Sequence, residues 1–279
     1  MGLVSEIGTV AANDVNEDRV GASGALAWVI DGATDVIDAP LTTAPTDASW
    51  IAETLDQLMR DVALAPTDLA ELPAILTERL QAEFRRSSRR QPIGRHEHPS
   101  AAGLIVRIDG LQLDYLSIGD CTLLAQTSAG VVRLGTNEVE AGDRWVAEAL
   151  RDYRAKNPDA SADAARAHLW PKLGAGRWSM NQQDGYGVFS LTPTPLRFIK
   201  LGSLKVAPRG HALLASDGLM RLVDIFHRYS TEELLTEAAE RGTVALTAEV
   251  RALEQSDADC VQFPRAKRHD DSSGVLLTF

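Results

Sequence analysis

Five short segments of this 279-residue chain carry carboxylates at one end of an apolar run, and no other feature limits its fold so strongly. Asn16-Glu17-Asp18-Arg19 opens the first region. Asp31 closes Ala27-Trp28-Val29-Ile30 and is followed by Gly32. Asp120 follows Leu116-Ser117-Ile118-Gly119, and Asp217 follows Leu213-Leu214-Ala215-Ser216 and precedes Gly218. Asp270-Asp271 stands just ahead of the final run Gly274–Phe279. Short apolar runs bounded by turn residues read as buried strands. Strand ends are rigid, which suits a constellation that must be held to about half an ångström.

Carboxylates gathered in one place repel each other unless a cation neutralises them. Oxygen-only ligands favour hard ions such as Mg²⁺ or Mn²⁺ over zinc. Glycine after an Asp lets the backbone turn tightly and leaves its carbonyl available as a further ligand. Two such ions about 4 Å apart can activate a water and clamp both oxygens of an in-line phosphoryl displacement.

The rest of the pattern predicts strands in hairpins and helices in pairs. Ala101–Ile108 and Leu111–Ile118 flank an Asp109-Gly110 turn, and Leu123–Gln126 and Val131–Leu134 flank Ser128-Ala129-Gly130. Phe198–Val206 and His211–Ala215 return to strand character. Ile51, Leu55, Leu58, Met59 and Val62 share one helical face, with Pro66 as the stop; Leu72, Ile75, Leu76, Leu80 and Phe84 repeat that spacing. Trp145, Ala149, Leu150 and Tyr153 predict another helix. Thr231–Arg241 has a Ser230/Glu233 capping box and a Gly242 stop, and Leu246, Val250 and Leu253 mark a further helix. Arg85–His98 reads as a basic solvated loop. An insertion around 140–187, irregular from Asn157 to Gly187, would form a flap over a single domain spanning 1–279. The fold class is α+β, with antiparallel sheets and helices layered outside.

Composition narrows the partners. A net charge of −11 disfavours nucleic acid and anionic membranes. It leaves an anionic substrate open, because bound cations reverse the local field. Cys121 and Cys260 are far apart, as expected of thiols in a reducing compartment. Met1–Val10 lacks the pattern of a secretory signal, position 6 is Glu where myristoylation would want Ser or Thr, and no apolar run approaches 18 residues. The expected location is the cytoplasm.

The five motifs, in this order over nearly the whole chain, resemble those of the protein phosphatase 2C (PPM-type) family of metal-dependent serine/threonine phosphatases, in a bacterial-like form. The resemblance implies two facing antiparallel sheets flanked by helix pairs, with two, or with a weaker site three, Mn²⁺ or Mg²⁺ ions in a cleft at one end. It implies that Asp31 bridges two ions, that the Gly32 carbonyl joins one and that Asp217 and Asp270 hold the other. Glu17 and Asp18 would contact the ions directly or through water, and Asp120 would help hold the third. Asp31, Asp217 and Asp270 would carry the catalysis, in which a water bridging the ions attacks phosphorus without a phosphoenzyme. The implied partner is a phosphoprotein whose phosphorylation a serine/threonine kinase supplies, in a signalling role.

Several positions depart from that pattern. The Arg that often binds phosphate, four residues before the motif Glu, is Asn13, and an amide lacks the charged bidentate grip. Ala33-Thr34 stands where animal members carry a His, and Gly119-Asp120-Cys121-Thr122 stands in place of Gly-Asp-Ser-Arg. The last motif is Asp270-Asp271 rather than Asp-Asn, with Asp270 expected to be the ligand and Asp271 its backup. His269 is read as a neighbour of the site, Cys121 as a small buried side chain, and Trp145, Trp170 and Trp178 as packing around the flap. Val29 removes the second Asp that a haloacid-dehalogenase-type enzyme needs, and neither a Gly-x-Ser-x-Gly elbow nor a Walker loop is present. The alternative is a phosphatase-fold binding or regulatory module with weak catalysis.

Overall fold

The computed structural model describes residues 3–37, 39–64, 68–135 and 137–279. The chain opens with β1 (Leu3–Val10), β2 (Asp18–Ser23) and β3 (Leu26–Gly32), followed by the helix pair α1 (Asp47–Val62) and α2 (Leu72–Ser87). Next come β4 (Ser100–Asp109), β5 (Gln112–Ile118), β6 (Thr122–Thr127) and β7 (Gly130–Leu134). Two helices follow, α3 (Asn137–Lys156) and α4 (Ala162–Gly176), over the segment expected to form an insertion. The chain ends with β8 (Phe189–Ser190), β9 (Lys200–Lys205), β10 (His211–Ala215), α5 (Asp217–Asp224), α6 (Thr231–Arg241), α7 (Thr243–Ser256) and β11 (Ser272–Thr278).

The strands form two sheets, ordered β1-β11-β10-β6-β7 and β2-β3-β4-β5-β9, with β8 added beside β4, and every pairing is antiparallel. Strand alternation builds three cores from two sheets. Ala27 and Val29 of β3, Leu123 and Ala125 of β6, Leu214 of β10, and Val275 and Leu277 of β11 fill the space between the sheets. The residues of opposite parity face outward. Trp28 and Ile30 pack under α1 and α2, against Ile51, Leu55, Leu76 and Leu80. Leu213, Ala215 and Leu276 pack under α5, α6 and α7, against Leu219, Leu234 and Val250. Each such buried Leu or Ile contributes about 1.5–3 kcal/mol. The buried Trp28 Nε1 donates to Asp56 Oδ1 at 2.8 Å, which fixes α1 on its sheet.

The fold is the expected α/β/β/α arrangement, with local differences. Asn157–Gly187 is not irregular throughout, because α4 runs from Ala162 to Gly176, Pro171 included. Val146, Leu150, Ala165 and Leu169 pair α3 with α4 in a small separate core, which offsets the poor helix propensity of Pro171, Gly174 and Gly176. The strand expected from Phe198 begins at Lys200, after a 3-10 turn over Leu196–Phe198. Helix α1 ends at Val62, and the expected stop at Pro66 lies outside the described residues. The capping box of α6 forms as read, with Ser230 Oγ accepting from Glu233 N at 3.2 Å and Glu233 Oε2 from Ser230 N at 2.8 Å.

Candidate active site

The parity that builds the inter-sheet core also aims the acids. Val20 and Ala22 of β2 and Ala27 and Val29 of β3 pack toward that core, so Asp18 and Asp31 lie on the same inner face. They are paired directly across the β2–β3 ladder. Like charges directly opposite destabilise a sheet, so the pairing calls for a neutralising partner. Asp18 is 2% exposed, and neither of its carboxylate oxygens meets a donor at hydrogen-bond geometry. The nearby hydroxyls of Ser273 and Ser216 ease its charge; Ser273 Oγ lies 2.7 Å from Thr9 Oγ1, and Ser216 Oγ accepts from Ser273 N at 3.0 Å. Burial, followed by the charges of Asp271 and Asp217, holds the Asp18 carboxyl well above the usual range. Burial together with Asp18, Asp217, Asp120 and Asp270 does the same to Asp31.

Asp217 caps the sheet from the first turn of α5, where the helix dipole favours an anion. Burial with the charge of Asp270 raises its pKa despite Lys267 and Arg221. The two Asp-Gly glycines serve close approach rather than a tight turn. A Cβ on Gly32 would lie 2.6 Å from the Ala48 carbonyl and 2.7 Å from that of Glu17, and one on Gly218 would lie 1.8 Å from the Asp271 carbonyl. Gly32 N donates to Glu17 O at 3.0 Å, which ties the first acidic motif to the end of β3.

The last motif differs from the sequence reading. Asp271, expected as the backup ligand, has both oxygens accepting from the backbone, from the N–H groups of Ala12 (2.5 Å) and Glu17 (2.7 Å), and so positions the β1–β2 loop. Asp270 has both oxygens engaged by cations, Lys267 Nζ at 2.8 Å and Arg221 Nη2 at 2.6 Å. Burial pushes Asp270 up, but Lys267 and Arg221 outweigh it and hold the carboxyl below its ordinary range. Arg221 in turn is locked by the fully buried Glu254 at 2.6 Å. Glu254 also binds His269 Nδ1 at 3.2 Å, which makes His269 a brace beside the site.

The acids therefore divide. Asp18, Asp31 and Asp217 are crowded and offer oxygen donors, with the Gly32 carbonyl, Glu17 and Asp120 around them. Asp120 lies near enough to raise Asp31, and Glu17 Oε2 accepts from Thr34 at 3.0 Å. This donor set, with an orphaned buried carboxylate at its centre, fits a hard divalent cation. Asp270 does not fit as it stands. Among the described residues, no three acidic, His or Cys side chains are already gathered in ligand positions. Asp18 and Asp31 repel each other, and Asp270 is drawn toward Lys267 and Arg221.

A cleft of about 480 Å³ opens beside these acids, bounded by Asn13, Asp14, Glu17, Thr34, Asp163, Asp270 and Asp271, with Arg166, Lys267, Arg268 and His269 as a basic wall among those carboxylates. Arg166 comes from α4 and lies 5.1 Å over the Trp170 ring. The basic loop does not line this cleft: Arg90 pairs with Glu97 at 2.6 Å, and Arg95 donates to the Met180 carbonyl at 3.0 Å. Arg19 pairs with Glu53 and donates to the carbonyls of Asn16 and Asp18, bracing the motif from outside. Arg177, which the sequence reading passed over, is 7% exposed and joins the insertion to the β3 exit. Its guanidinium donates to the carbonyls of Ala33 (2.8 Å) and Thr34 (2.6 Å) and to the Ser100 hydroxyl. Cys121 is fully buried, and burial followed by Asp31 and Asp120 pushes its thiol well up, which rules it out as a nucleophile.

Solved structures share this architecture from end to end. The serine/threonine phosphatase PstP/Ppp of Mycobacterium tuberculosis matches with a TM-score of 0.57 at 14% identity, over 98% of this chain and 97% of that one. The fold is that of the PPM-type serine/threonine phosphatases. The catalytic domain of PstP in complex with two manganese ions matches with a TM-score of 0.53 at 14% identity, over 100% and 96% of the two chains. The PPM phosphatase MsPP of Mycobacterium smegmatis, in complex with cacodylate, gives 0.51 at 14% identity over 99% and 98%. No known family's sequence profile matches the chain, and no curated protein matches it in sequence. No helix among the described residues is long and apolar enough to cross a membrane.

Proposed function

We propose that this chain is a Mn²⁺- or Mg²⁺-dependent phosphatase that hydrolyses phosphoserine or phosphothreonine in proteins, or a related phosphoester. The observation that carries the reading is the Asp18–Asp31 pair, facing each other on the inner side of a PPM-type fold with both oxygens of the buried Asp18 lacking a donor. Asp18, Asp31 and Asp217 would hold a divalent ion, with the Gly32 carbonyl, Glu17 and Asp120 at its margin. Bound there, such an ion supplies Lewis-acid activation of water and of the phosphoryl oxygens. The chain's own residues do the rest. The phosphate enters beside Asn13, and the basic wall of Arg166 and Arg268 supplies the charge that Asn13 lacks. Arg177 holds the Ala33-Thr34 backbone, and with it the end of β3, in place. A phosphoprotein partner, opposed by a serine/threonine kinase in cytoplasmic signalling, follows from the resemblance, and the two free cysteines agree with that compartment.

One observation favours the weaker alternative, a binding or regulatory module: Asp270, an expected ligand, is already ion-paired twice. Turnover decides between the two. Purified protein with excess Mn²⁺ should release phosphate from a phosphothreonine peptide, with loss of activity in EDTA and indifference to thiol reagents. Absence of turnover on phosphopeptides and on small aryl phosphates would leave the binding module.

A further inference from the structure

Lys267 is the residue that neither the family pattern nor the acid constellation explains. Its ammonium lies 2.8 Å from Asp270 Oδ1, on a side chain that is one-third exposed at the edge of the acids. That contact already supplies Oδ1 with the positive charge that a divalent ion would bring. The other oxygen of Asp270 is held at 2.6 Å by Arg221, which is itself bound to Glu254 at 2.6 Å. Freeing Asp270 for a metal would therefore strand two cations beside Asp217.

The loop that presents Lys267 is braced. Arg265, 5% exposed, binds Asp257 Oδ2 at 2.7 Å and the Arg268 carbonyl at 3.1 Å, spanning Lys267 on both sides. Arg251 Nη2 donates to the Asp270 carbonyl at 3.0 Å and to that of Ala11 at 2.8 Å. Ala266 packs against the α3–α4 core. Asp18, across the site, is buried with no hydrogen-bond donor on either oxygen and receives no such cation.

We propose that Lys267 is a built-in cation that replaces one of the two divalent ions of this architecture, so that the chain binds a single divalent ion, at Asp18 and Asp31. The inference rests on the metal-site reading above but is separable from it. An ammonium balances charge at Asp270 and Asp217, yet it has no open coordination position with which to polarise a water or a phosphoryl oxygen. Those tasks fall to the remaining ion alone.

The test counts ions. The full chain is dialysed to equilibrium against Mn²⁺, and bound metal is measured per folded chain for wild type, Lys267→Gln and Lys267→Met, with circular dichroism as the check on folding. The expected result is one ion in wild type and two in the variants. A crystal of the wild type soaked in Mn²⁺ should show one anomalous peak, beside Asp18 and Asp31, and this holds even if both variants fail to fold. Two ions in wild type overturn the proposal while leaving the phosphatase reading intact. A folded variant that still binds one ion also overturns it. No ion in wild type overturns both the proposal and the metal-site reading.

Discussion

Asp18→Asn should stabilise the metal-free protein and weaken the metal-loaded one. Asp18 is 2% exposed, has no donor on either oxygen and stands directly across the ladder from Asp31. Two like charges about 5 Å apart, with an effective dielectric constant near 20, repel by about 3 kcal/mol, an amount reached at a pH high enough to ionise both raised carboxyls. Asparagine keeps the size of the side chain, removes the charge and offers Asp31 a donor. At about 2–4 °C per kcal/mol for a domain of this size, the melting temperature in EDTA should rise by roughly 6–12 °C. In saturating Mn²⁺ the order should reverse, because the wild type gains binding energy that the variant loses with its ligand. Thermal unfolding followed by circular dichroism, with and without Mn²⁺, reads both signs. A variant that melts below wild type in EDTA would show that Asp18 is already compensated by the protein, and the argument for an ion at this position would fail.

Arg177→Ala removes the donor to the Ala33 and Thr34 carbonyls and to Ser100 at a buried position; denaturant unfolding should show a loss of about 2–4 kcal/mol. Asp35 accepts from Asp47 N at 2.8 Å at the start of α1, and burial, with Asp47 and Glu17, lifts its pKa to about 6 from 3.8. The folded state holds that proton more tightly than the unfolded chain. The contribution is therefore greatest below pH 4, declines as pH rises to 6 and is flat above, a span of about 3 kcal/mol. Asp35→Asn should gain that amount relative to wild type between pH 4 and pH 7 in parallel denaturation curves. Arg166→Ala and Arg268→Ala should raise KM for a phosphopeptide by about tenfold, with kcat changed less; unchanged KM in both would remove the basic wall from the account of phosphate binding.

Much of this site can be read from strand alternation. Once Ala27 and Val29 are known to be core residues on one face, Asp31 must share that face, and the antiparallel pairing brings Asp18 opposite it. The order of motifs likewise carries the two-sheet architecture. What the sequence conceals is set by tertiary approach. Lys267, Arg221 and Glu254 are separated by 13 to 46 residues yet form one buried chain of charge with Asp270. No local pattern marks Asp271 as the anchor of the Ala12 and Glu17 amides. Asp-Gly at 31–32 looks like a turn, although the glycine stands in a strand because the Ala48 and Glu17 carbonyls leave no room for a Cβ. Helix α4 was hidden by its own Pro171 and two glycines, and it exists because α3 covers it.

The central claim is that carboxylates from both sheets form a divalent-cation site around Asp31. Calorimetric titration of the metal-free protein with Mn²⁺, beside the same titration of Asp31→Asn, tests it most directly. The account predicts saturable binding to wild type and at least a tenfold loss of affinity in the variant. No binding to wild type, or equal affinity in the two proteins, would contradict it.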